Sequence, residues 1–339
     1  MKILLVRLSS MGDLVHTLPA VSDLARHCPD IELHWLCEAA FADIARLHPF
    51  VRRVETMQWR KWRKHLLQAA VRREIGSLKT VLCAEGYNAV LDSQGLLKSA
   101  LFARFAAAPV RGLDWHSARE PAASLFYGTT FAVEKNKDAV WRNRTLFAQA
   151  FGYCFEGAPD FGITVPEAVS GSLKHVLPPQ YRALRQMHGE DMHAASRDSK
   201  LWPEGNWILL LSRLYAADGL PVLLPWGSEA ERERAERLAK SLPAAQVCPR
   251  LTLAEAAGMM RHAKSVIGVD TGLLHLANAA NRPLVGIYTA SDPAKTGVQQ
   301  NAWSRSIGGI GEMPDVETVY RTLAQCEMAR QPENRSHFK

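Results

Sequence analysis

The sequence predicts an α/β protein built from two Rossmann-like domains. Its length of 339 residues suits two domains of ordinary size. Two separate series of alternating apolar strands and amphipathic helices indicate parallel sheets with crossover helices. Glycine and proline, at 22 and 18 residues, are near average usage, which excludes a collagen-like or largely disordered chain.

The first series lies within residues 1–165, which we predict to be the N-terminal domain. A strand is expected where a short apolar run is bounded by polar or turn-forming residues. The predicted strands are 2–8, 31–37 and 89–92, and the predicted helices are 14–26, 39–47, 60–84 and 97–107.

The second series lies within residues 180–315, the predicted C-terminal domain. Its predicted strands are 221–226, 265–269 and 284–288, and its predicted helices are 207–217, 229–242, 253–262 and 273–280. A first strand is needed just before Ser196, yet residues 187–193 are too polar for a buried parallel strand. Glycine and proline in 161–179 predict an interdomain linker. Residues 316–339 are expected to form a helix and a tail that can pack back on the N-terminal domain.

The charge distribution predicts an anionic partner. The formal net charge is +7, and residues 51–80 carry nine Lys or Arg against two Glu. A local cationic patch fits nucleic acid, an acidic membrane surface or a phosphorylated substrate. Nucleic acid is disfavoured, because the chain has no helix-turn-helix, zinc-finger or RNP-type motif. With no secretory signal and no apolar run long enough to cross a bilayer, the protein is expected in the cytoplasm.

The first candidate site is the SSMGD segment at residues 9–13, directly after the first strand. Ligands of open α/β sheets bind at the carboxyl ends of strands, where the next helix offers its N-terminus. Ser9, Ser10 and Gly12 allow a ligand to approach the backbone, and Asp13 lies at the edge of the expected cleft. Asp13 as a simple helix cap is the competing interpretation. The segment is neither a dinucleotide fingerprint nor a Walker A loop.

The second candidate follows the buried strand 265–269. Asp270 ends that strand, and Thr271 and Gly272 begin a helix whose N–H groups suit a phosphate. His275 lies one turn further on. The competing interpretation makes Asp270 or Thr271 a helix cap and His275 a core residue.

Three further segments carry candidate residues. Ser196 and Lys200 precede a helix, where Lys200 can neutralise a phosphate and a solvated loop is the alternative. Glu229 follows a strand-end turn and either contacts a ribose or favours the helix start, and nearby Glu231 is the alternative. The basic segment 58–65 fits nucleic-acid contact, membrane-surface contact or a solvated helix face equally well. The strand-end loop 92–95 with Lys98, and the loop of Arg119, would form a cationic acceptor pocket if they share a cleft with Asp13.

These motifs together resemble glycosyltransferase family nine, the heptosyltransferases with the two-domain GT-B fold. The resemblance runs along most of the chain. It is carried by SSMGD at 9–13 with HTLP at 16–19, DSQG at 92–95, RDSKLWP at 197–203 and GVDTGLLHL at 268–276.

The resemblance implies two Rossmann-like domains that face each other across a cleft. It implies an inverting, metal-independent enzyme with no cofactor, which moves L-glycero-D-manno-heptose from ADP-heptose to the Kdo of Kdo2-lipid A. This lipopolysaccharide biosynthesis step takes place at the cytoplasmic face of the inner membrane, so an anionic membrane surface is an expected contact. A sibling enzyme that adds a later core heptose remains the alternative within the family.

The resemblance also assigns roles to residues. Asp13 matches the general base. The donor-binding segments contain Ser9, Ser10, Gly12, Ser196, Lys200, Glu229, Asp270, Thr271, Gly272 and His275. The acceptor contacts are expected at Arg60, Arg63, Lys64, Lys98 and Arg119. The chemistry agrees, because a single displacement needs one carboxylate to accept the hydroxyl proton and cationic or N–H groups to stabilise the departing diphosphate.

Overall fold

The computed structural model describes residues 1–174, 177–185, 201–242 and 245–330. Within these residues the strands form two six-stranded sheets in which all neighbouring strands run parallel. The chain divides into two compact units, Met1–Thr164 and Val165–Lys339, and each contains one sheet. The predicted α/β class with two parallel-sheet domains is therefore confirmed.

The first unit contains the sheet ordered β3-β2-β1-β4-β5-β6. Its strands are β1 (Lys2–Val6), β2 (Glu32–Glu38), β3 (Val51–Met57), β4 (Ala89–Asp92), β5 (Val110–Leu113) and β6 (Thr129–Phe131). Its helices are α1 (Met11–Val15), α2 (Leu18–His27), α3 (Ala42–Arg46), α4 (Trp59–Trp62), α5 (Ala69–Ala84), α6 (Leu97–Ala103) and α7 (Ala139–Phe151).

The second unit contains the sheet ordered β12-β11-β10-β7-β8-β9. Its strands are β7 (Arg182–Arg185), β8 (Val222–Leu224), β9 (Ala245–Val247), β10 (Val266–Val269), β11 (Leu284–Tyr288) and β12 (Ser304–Gly308). Its helices are α8 (Glu167–Lys174), α9 (Glu204–Asp218), α10 (Glu229–Ser241), α11 (Leu253–His262), α12 (Gly272–Ala279), α13 (Pro293–Thr296) and α14 (Val316–Arg330).

The strand order reverses once in each sheet, between β1 and β4 in the first and between β10 and β7 in the second. At such a reversal the loops after the two central strands leave in opposite directions and open a crevice at the strand ends. The central strands are buried on both faces, so β1 consists of an unbroken apolar run, Ile3 to Val6. That unbroken run is the pattern that identified β1 from the sequence.

The predicted helix at 14–26 is two helices. Pro19 lies in the first turn of α2, where its missing N–H is tolerated, but the same residue cannot continue a helix begun upstream. The Thr17 hydroxyl donates to the Asp13 carbonyl at 2.8 Å and closes the end of α1. The single long helix was therefore wrong, and the break fixes the short α1 against the end of β1.

The sequence prediction omitted the outer strands β3, β5 and β6 and the helix α7. β3 is an edge strand, and exposed Arg52 and Arg53 interrupt its apolar residues. Charged residues are common on edge strands. The strands β5 and β6 are four and three residues long. Neither such short strands nor a charged edge strand gives a periodic signal, which explains the omission.

The predicted linker at 161–179 contains the helix α8. This helix packs against α11, where Gly258 has no side chain and a Cβ there would lie 2.8 Å from Leu173. The boundary between the two units falls between Thr164 and Val165. The segment is therefore in part an ordered element of the second unit.

The first strand of the second sheet is β7, earlier in the chain than the position expected just before Ser196. Its Arg182 side chain is buried and pairs with Asp218 and Glu327. Because the charge is neutralised inside, a strand can carry an arginine that the sequence pattern counts against it. Residues 187–193, the segment considered too polar, lie outside the described residues.

The C-terminal helix α14 packs against α9 and β11 of its own unit. Val319, Leu323 and Cys326 form its buried face, and Glu327 reaches Arg182 of β7. The predicted helix is thus confirmed over Val316–Arg330, while residues 331–339 of the tail lie outside the described part of the chain. The packing of this segment on the N-terminal domain stays a prediction.

A buried histidine makes the stability of the first unit depend on pH. The Phe50 N–H donates to His48 Nδ1 at 3.2 Å, so the neutral ring carries its proton on Nε2, 2.9 Å from the Ser22 hydroxyl. Burial lowers the pKa of His48 from 6.5 to about 4, against an opposing effect of Asp160.

We therefore expect the free energy of unfolding to decrease as the pH falls from 6.5 towards 4, because the unfolded chain binds a proton that the folded chain excludes. The loss should approach about 3 kcal/mol. Urea unfolding of wild type and His48→Gln across this range is the measurement, since glutamine can make both hydrogen bonds without titrating. An identical pH dependence in the two proteins would contradict the assignment.

Candidate active site

The loop after β1 holds Asp13 in a defined position. Ser10 is the N-cap of α1, and its N–H and hydroxyl donate to Asp13 Oδ2 at 2.9 and 3.2 Å. Asp13 therefore does act in the cap of the helix. Its side chain is nevertheless 33% exposed, so capping leaves part of the carboxylate accessible to a ligand.

Arg7 joins this loop to the loop that follows β4. Its Nη2 donates to Asp13 Oδ1 at 3.1 Å, and its Nη1 donates to the Ser93 carbonyl. The Leu8 N–H donates to Gln94 Oε1 at 2.6 Å. Side-chain hydrogen bonds thus connect the two loops that flank the strand-order reversal, and residues 92–95 lie beside the loop of Asp13.

Electrostatics keep Asp13 ionised. Burial raises the pKa of Asp13, but the Arg7 guanidinium and the Ser10 N–H outweigh that effect, so the pKa lies below its usual value. The carboxylate is therefore negatively charged throughout the neutral range. Arg7 was absent from the candidates drawn from the sequence, although its place at the end of the first strand is the signal that could have found it.

Asp92 holds the loop after β4 in place through hydrogen bonds. It is fully buried, accepts the Gln94 N–H at 2.9 Å and accepts the Tyr127 hydroxyl at 2.8 Å. Gly95 has a φ of +67° with Ala118 directly against it, so a side chain at that position would be strained and crowded. Asp92 thus supports the loop, and it is too deeply buried to meet a substrate itself.

Basic residues gather beside this carboxylate. The Lys98 ammonium donates to the Ser9 hydroxyl at 3.4 Å. Burial lowers the pKa of Lys98, and the nearby Arg60 and Arg63 lower it further. The structure thus brings Lys98, Arg60 and Arg63 into one cationic cluster next to the loop of Asp13, which is where the sequence analysis expected an acceptor.

Glu38 is a further member of this cluster that the sequence analysis missed. It ends β2, is 4% exposed, and accepts the N–H groups of Trp59 and Arg60. Burial raises its pKa, while Arg60 and Lys98 act in the opposite direction. A carboxylate at the end of a central strand is the same signal that identified Asp92, so Glu38 was open to prediction.

The two remaining acceptor candidates, Lys64 and Arg119, lie on the surface of the first unit. Lys64 is exposed in the turn after α4, and Arg119 is exposed in the loop after β5. That loop adjoins the Gly95 loop, since the Glu120 N–H donates to the Gly95 carbonyl at 3.0 Å and the Glu120 carboxylate accepts the Leu97 N–H. Arg119 is therefore carried to the same edge of the first sheet.

The second unit has its own polar strand end after β10. Thr271 is the N-cap of α12, and its hydroxyl accepts the Leu274 N–H at 3.1 Å. Asp270 accepts a hydrogen bond from Ser291 at 2.5 Å, and the buried His275 lies 3.8 Å from it. The capping interpretation of Thr271 is confirmed.

Gly272 begins α12 beside these groups. The first N–H groups of a helix have no partner within the helix, and the dipole favours an anion there. The arrangement of Thr271 and Gly272 is thus suited to bind a phosphate.

The structure separates the two glutamates of α10. Glu231 is buried and accepts the N–H groups of Gly227 and Ser228, so it caps the helix. The Glu229 side chain is 67% exposed and interacts with Arg232 on the surface. Glu229 is accordingly the one of the two with a carboxylate open to a ligand.

Ser196 and Lys200 lie outside the described residues. They follow β7 in the chain, and β7 pairs directly with β10, with Arg185 opposite Gly268. Among the residues that the structure does describe, no group of three or more His, Cys, Asp or Glu side chains could hold a metal ion. The same residues contain no helix that is both long and apolar enough to cross a bilayer.

Two Rossmann-like units, each with a parallel sheet and polar residues at its strand ends, are typical of the GT-B class of proteins. Comparisons with known proteins identify the family. Residues 75–324 match glycosyltransferase family 9 (heptosyltransferase). Lipopolysaccharide heptosyltransferase 1 of Salmonella typhimurium is 41% identical over 299 residues, which are 88% of this chain and 91% of that protein. The chain belongs to glycosyltransferase family 9 and is a glycosyltransferase.

Solved structures agree with this membership. The E. coli heptosyltransferase WaaC with ADP has a TM-score of 0.85 at 36% identity, covering 96% of this chain and 100% of that one. The same enzyme with ADP-2-deoxy-2-fluoro heptose has a TM-score of 0.79 at 35% identity and covers 99% of both chains. By contrast, lipooligosaccharide heptosyltransferase 2 of Haemophilus influenzae is 29% identical over 104 residues, 29% of this chain and 30% of that protein.

The contact between Arg7 and Asp13 leads to a testable prediction about the pKa of Asp13. Arg7→Met should raise the pKa of Asp13, because the opposite charge of Arg7, 3.1 Å away, stabilises the carboxylate. Carboxyl carbon NMR, with Asp13→Asn used to assign the resonance, measures the change. Arg26→Met, which removes a cation paired with Asp23, is the matched control. An Asp13 pKa that does not move in Arg7→Met would contradict the analysis.

Proposed function

We propose that this chain transfers L-glycero-D-manno-heptose from ADP-heptose to the Kdo of Kdo2-lipid A, in the synthesis of the lipopolysaccharide inner core. The observation that carries the proposal is the alignment of nearly the whole chain with heptosyltransferase 1. A donor of this class is supported by the similar enzyme whose structure contains an ADP-heptose analogue. The enzyme that adds a later heptose is not favoured, because the heptosyltransferase 2 relative is 29% identical over 104 residues, against 41% over 299 residues for heptosyltransferase 1.

Asp13 is the proposed general base. A sugar hydroxyl that attacks an anomeric carbon must lose its proton, and a carboxylate within hydrogen-bond reach can accept it. The partial exposure and the negative charge of the Asp13 side chain support this role. Arg7 would keep Asp13 negatively charged. Because Arg7 also donates to the Ser93 carbonyl, it would hold the Asp13 carboxylate in a fixed orientation.

The donor groups are proposed to bind the ADP moiety and stabilise its charge as it leaves. The helix start at Thr271 and Gly272 suits the diphosphate, and Lys200 adds a positive charge. The other proposed donor contacts are Ser9, Ser10, Gly12, Ser196, Glu229, Asp270 and His275. Ser291 and His275 flank Asp270 and would fix its carboxylate for sugar or ribose hydroxyls.

The acceptor is proposed to bind the cationic cluster of the first unit, which contains Arg60, Arg63, Lys64, Lys98 and Arg119. Kdo and lipid A carry carboxylate and phosphate groups, and arginine matches both by two parallel hydrogen bonds. Glu38 accepts the Trp59 and Arg60 N–H groups and would hold the start of α4 in place. The enzyme would act as a peripheral protein on the cytoplasmic face of the inner membrane, against an anionic surface.

Replacing the base tests the mechanism. Asp13→Asn should reduce kcat by at least about 10²-fold, a usual minimum for losing a general base. ADP affinity, measured by calorimetry, should stay unchanged, because the amide oxygen can still accept the Ser10 N–H and preserve the loop.

Asp43→Asn, which changes another carboxylate in the first turn of a helix, is the control and should keep normal turnover. A kcat near that of wild type in Asp13→Asn would reduce Asp13 to a helix cap.

Lys200 tests the donor assignment. Lys200→Ala should weaken ADP binding by about tenfold or more, the usual effect of losing a charge-assisted hydrogen bond. Titration calorimetry with ADP measures it. Lys240→Ala removes an exposed lysine of α10 in the same unit and should leave affinity unchanged. Equal affinity in Lys200→Ala and wild type would count against the assignment.

A further inference from the structure

A turn in the first unit exposes two leucines at its tip. The Gln68 N–H donates to the His65 carbonyl at 3.0 Å, so Leu66 and Leu67 occupy the two central positions of a β-turn. Leu67 is 89% exposed and Leu66 is 42% exposed. Turn tips usually carry Gly, Pro, Asn, Asp or Ser. A leucine side chain that stays in water contributes none of the free energy that its burial would supply. We call residues 65–68 the leucine turn.

The base of the leucine turn is firmly held. Trp62 is buried and packs against Phe102 with ring centroids 6.3 Å apart. Its indole N–H donates to Glu74 of α5 at 2.6 Å, and the His65 N–H donates to the Trp62 carbonyl. Since both flanking helices are anchored, the leucines project from an ordered support.

Exposed cations flank the leucine turn on both sides. Arg63 and Lys64 precede it, and Arg72 and Arg73 follow it near the start of α5. Arg63 is also close enough to Lys98 to lower the pKa of that lysine, which places the turn next to the acceptor cluster. Leucines at a tip with arginine and lysine around it match the chemistry of a lipid headgroup boundary, where apolar groups enter the acyl region and cations meet phosphate.

We propose that the leucine turn inserts into the surface of an anionic lipid bilayer, with Leu66 and Leu67 in the acyl boundary and the flanking cations at the phosphates. The inference rests on the proposed function, since a lipid acceptor is held in such a bilayer. It identifies the leucine turn as the element that contacts the membrane, and it adds apolar insertion to the electrostatic attraction of the basic residues. Docking through this turn would bring the neighbouring acceptor cluster to the membrane surface.

Vesicle binding without any substrate tests the inference. Wild type should sediment with vesicles of phosphatidylethanolamine and phosphatidylglycerol and bind pure phosphatidylcholine far more weakly. The double variant Leu66→Gln, Leu67→Gln should bind the anionic vesicles about tenfold or more weakly, because insertion of both side chains is lost. Leu209→Gln, at an exposed leucine of α9 in the second unit, is the control and should bind as wild type does.

Charge and insertion can be measured separately. Charge reversal at Arg72 and Arg73 should also weaken binding and reduce its dependence on salt. In Leu67→Trp, the fluorescence contributed by the new tryptophan should shift to shorter wavelength when anionic vesicles are added. Unchanged binding of the double leucine variant, or the absence of that shift, would overturn the proposal. Equal binding to neutral and anionic vesicles would overturn it as well.

The result is independent of sugar transfer, because the vesicles contain neither donor nor acceptor. Vesicle binding with no transfer from ADP-heptose would refute the proposed function and leave the docking surface standing. Transfer to a detergent-dispersed acceptor with no vesicle binding would refute the docking surface alone.

Discussion

The reversal of strand order in each parallel sheet is the constraint on which the rest depends. The connections that follow β1 and β4 leave the sheet in opposite directions, so the carboxyl ends of these two buried strands lie side by side without a covering loop between them. Polar groups placed there are supported by an apolar sheet beneath and can face a ligand above. Arg7, Asp13 and the loop after Asp92 occupy this position in the first unit, and Asp270 and Thr271 occupy the end of β10 in the second.

The residues proposed to act on ligands at these strand ends also cap helices. Asp13 accepts the Ser10 N–H, and Thr271 accepts the Leu274 N–H, so both complete the start of a helix. A group that is fixed by a cap needs no further ordering when a substrate arrives, and this lowers the entropic cost of catalysis. The contact of Asp13 with Ser10 in the helix cap is therefore compatible with its proposed role as the general base.

The sequence predicted the elements that have strong, unbroken patterns. The apolar runs of β1, β10 and β11 and the polar residues after β1, β4 and β10 were identified because burial on both faces and proximity to a strand end leave clear signals. The sequence missed β7, because the buried Arg182 is neutralised by residues distant in the chain. It missed the short outer strands, because three or four residues give no periodic signal.

The central claim is that these strand ends serve the transfer of one heptose from an ADP-linked donor. The most direct test is mass spectrometry of Kdo2-lipid A after incubation with the protein and either ADP-heptose or UDP-glucose, with EDTA present. The account predicts the addition of a single heptose from ADP-heptose and no addition from UDP-glucose. An acceptor that gains no heptose, or that gains glucose equally well, would contradict it.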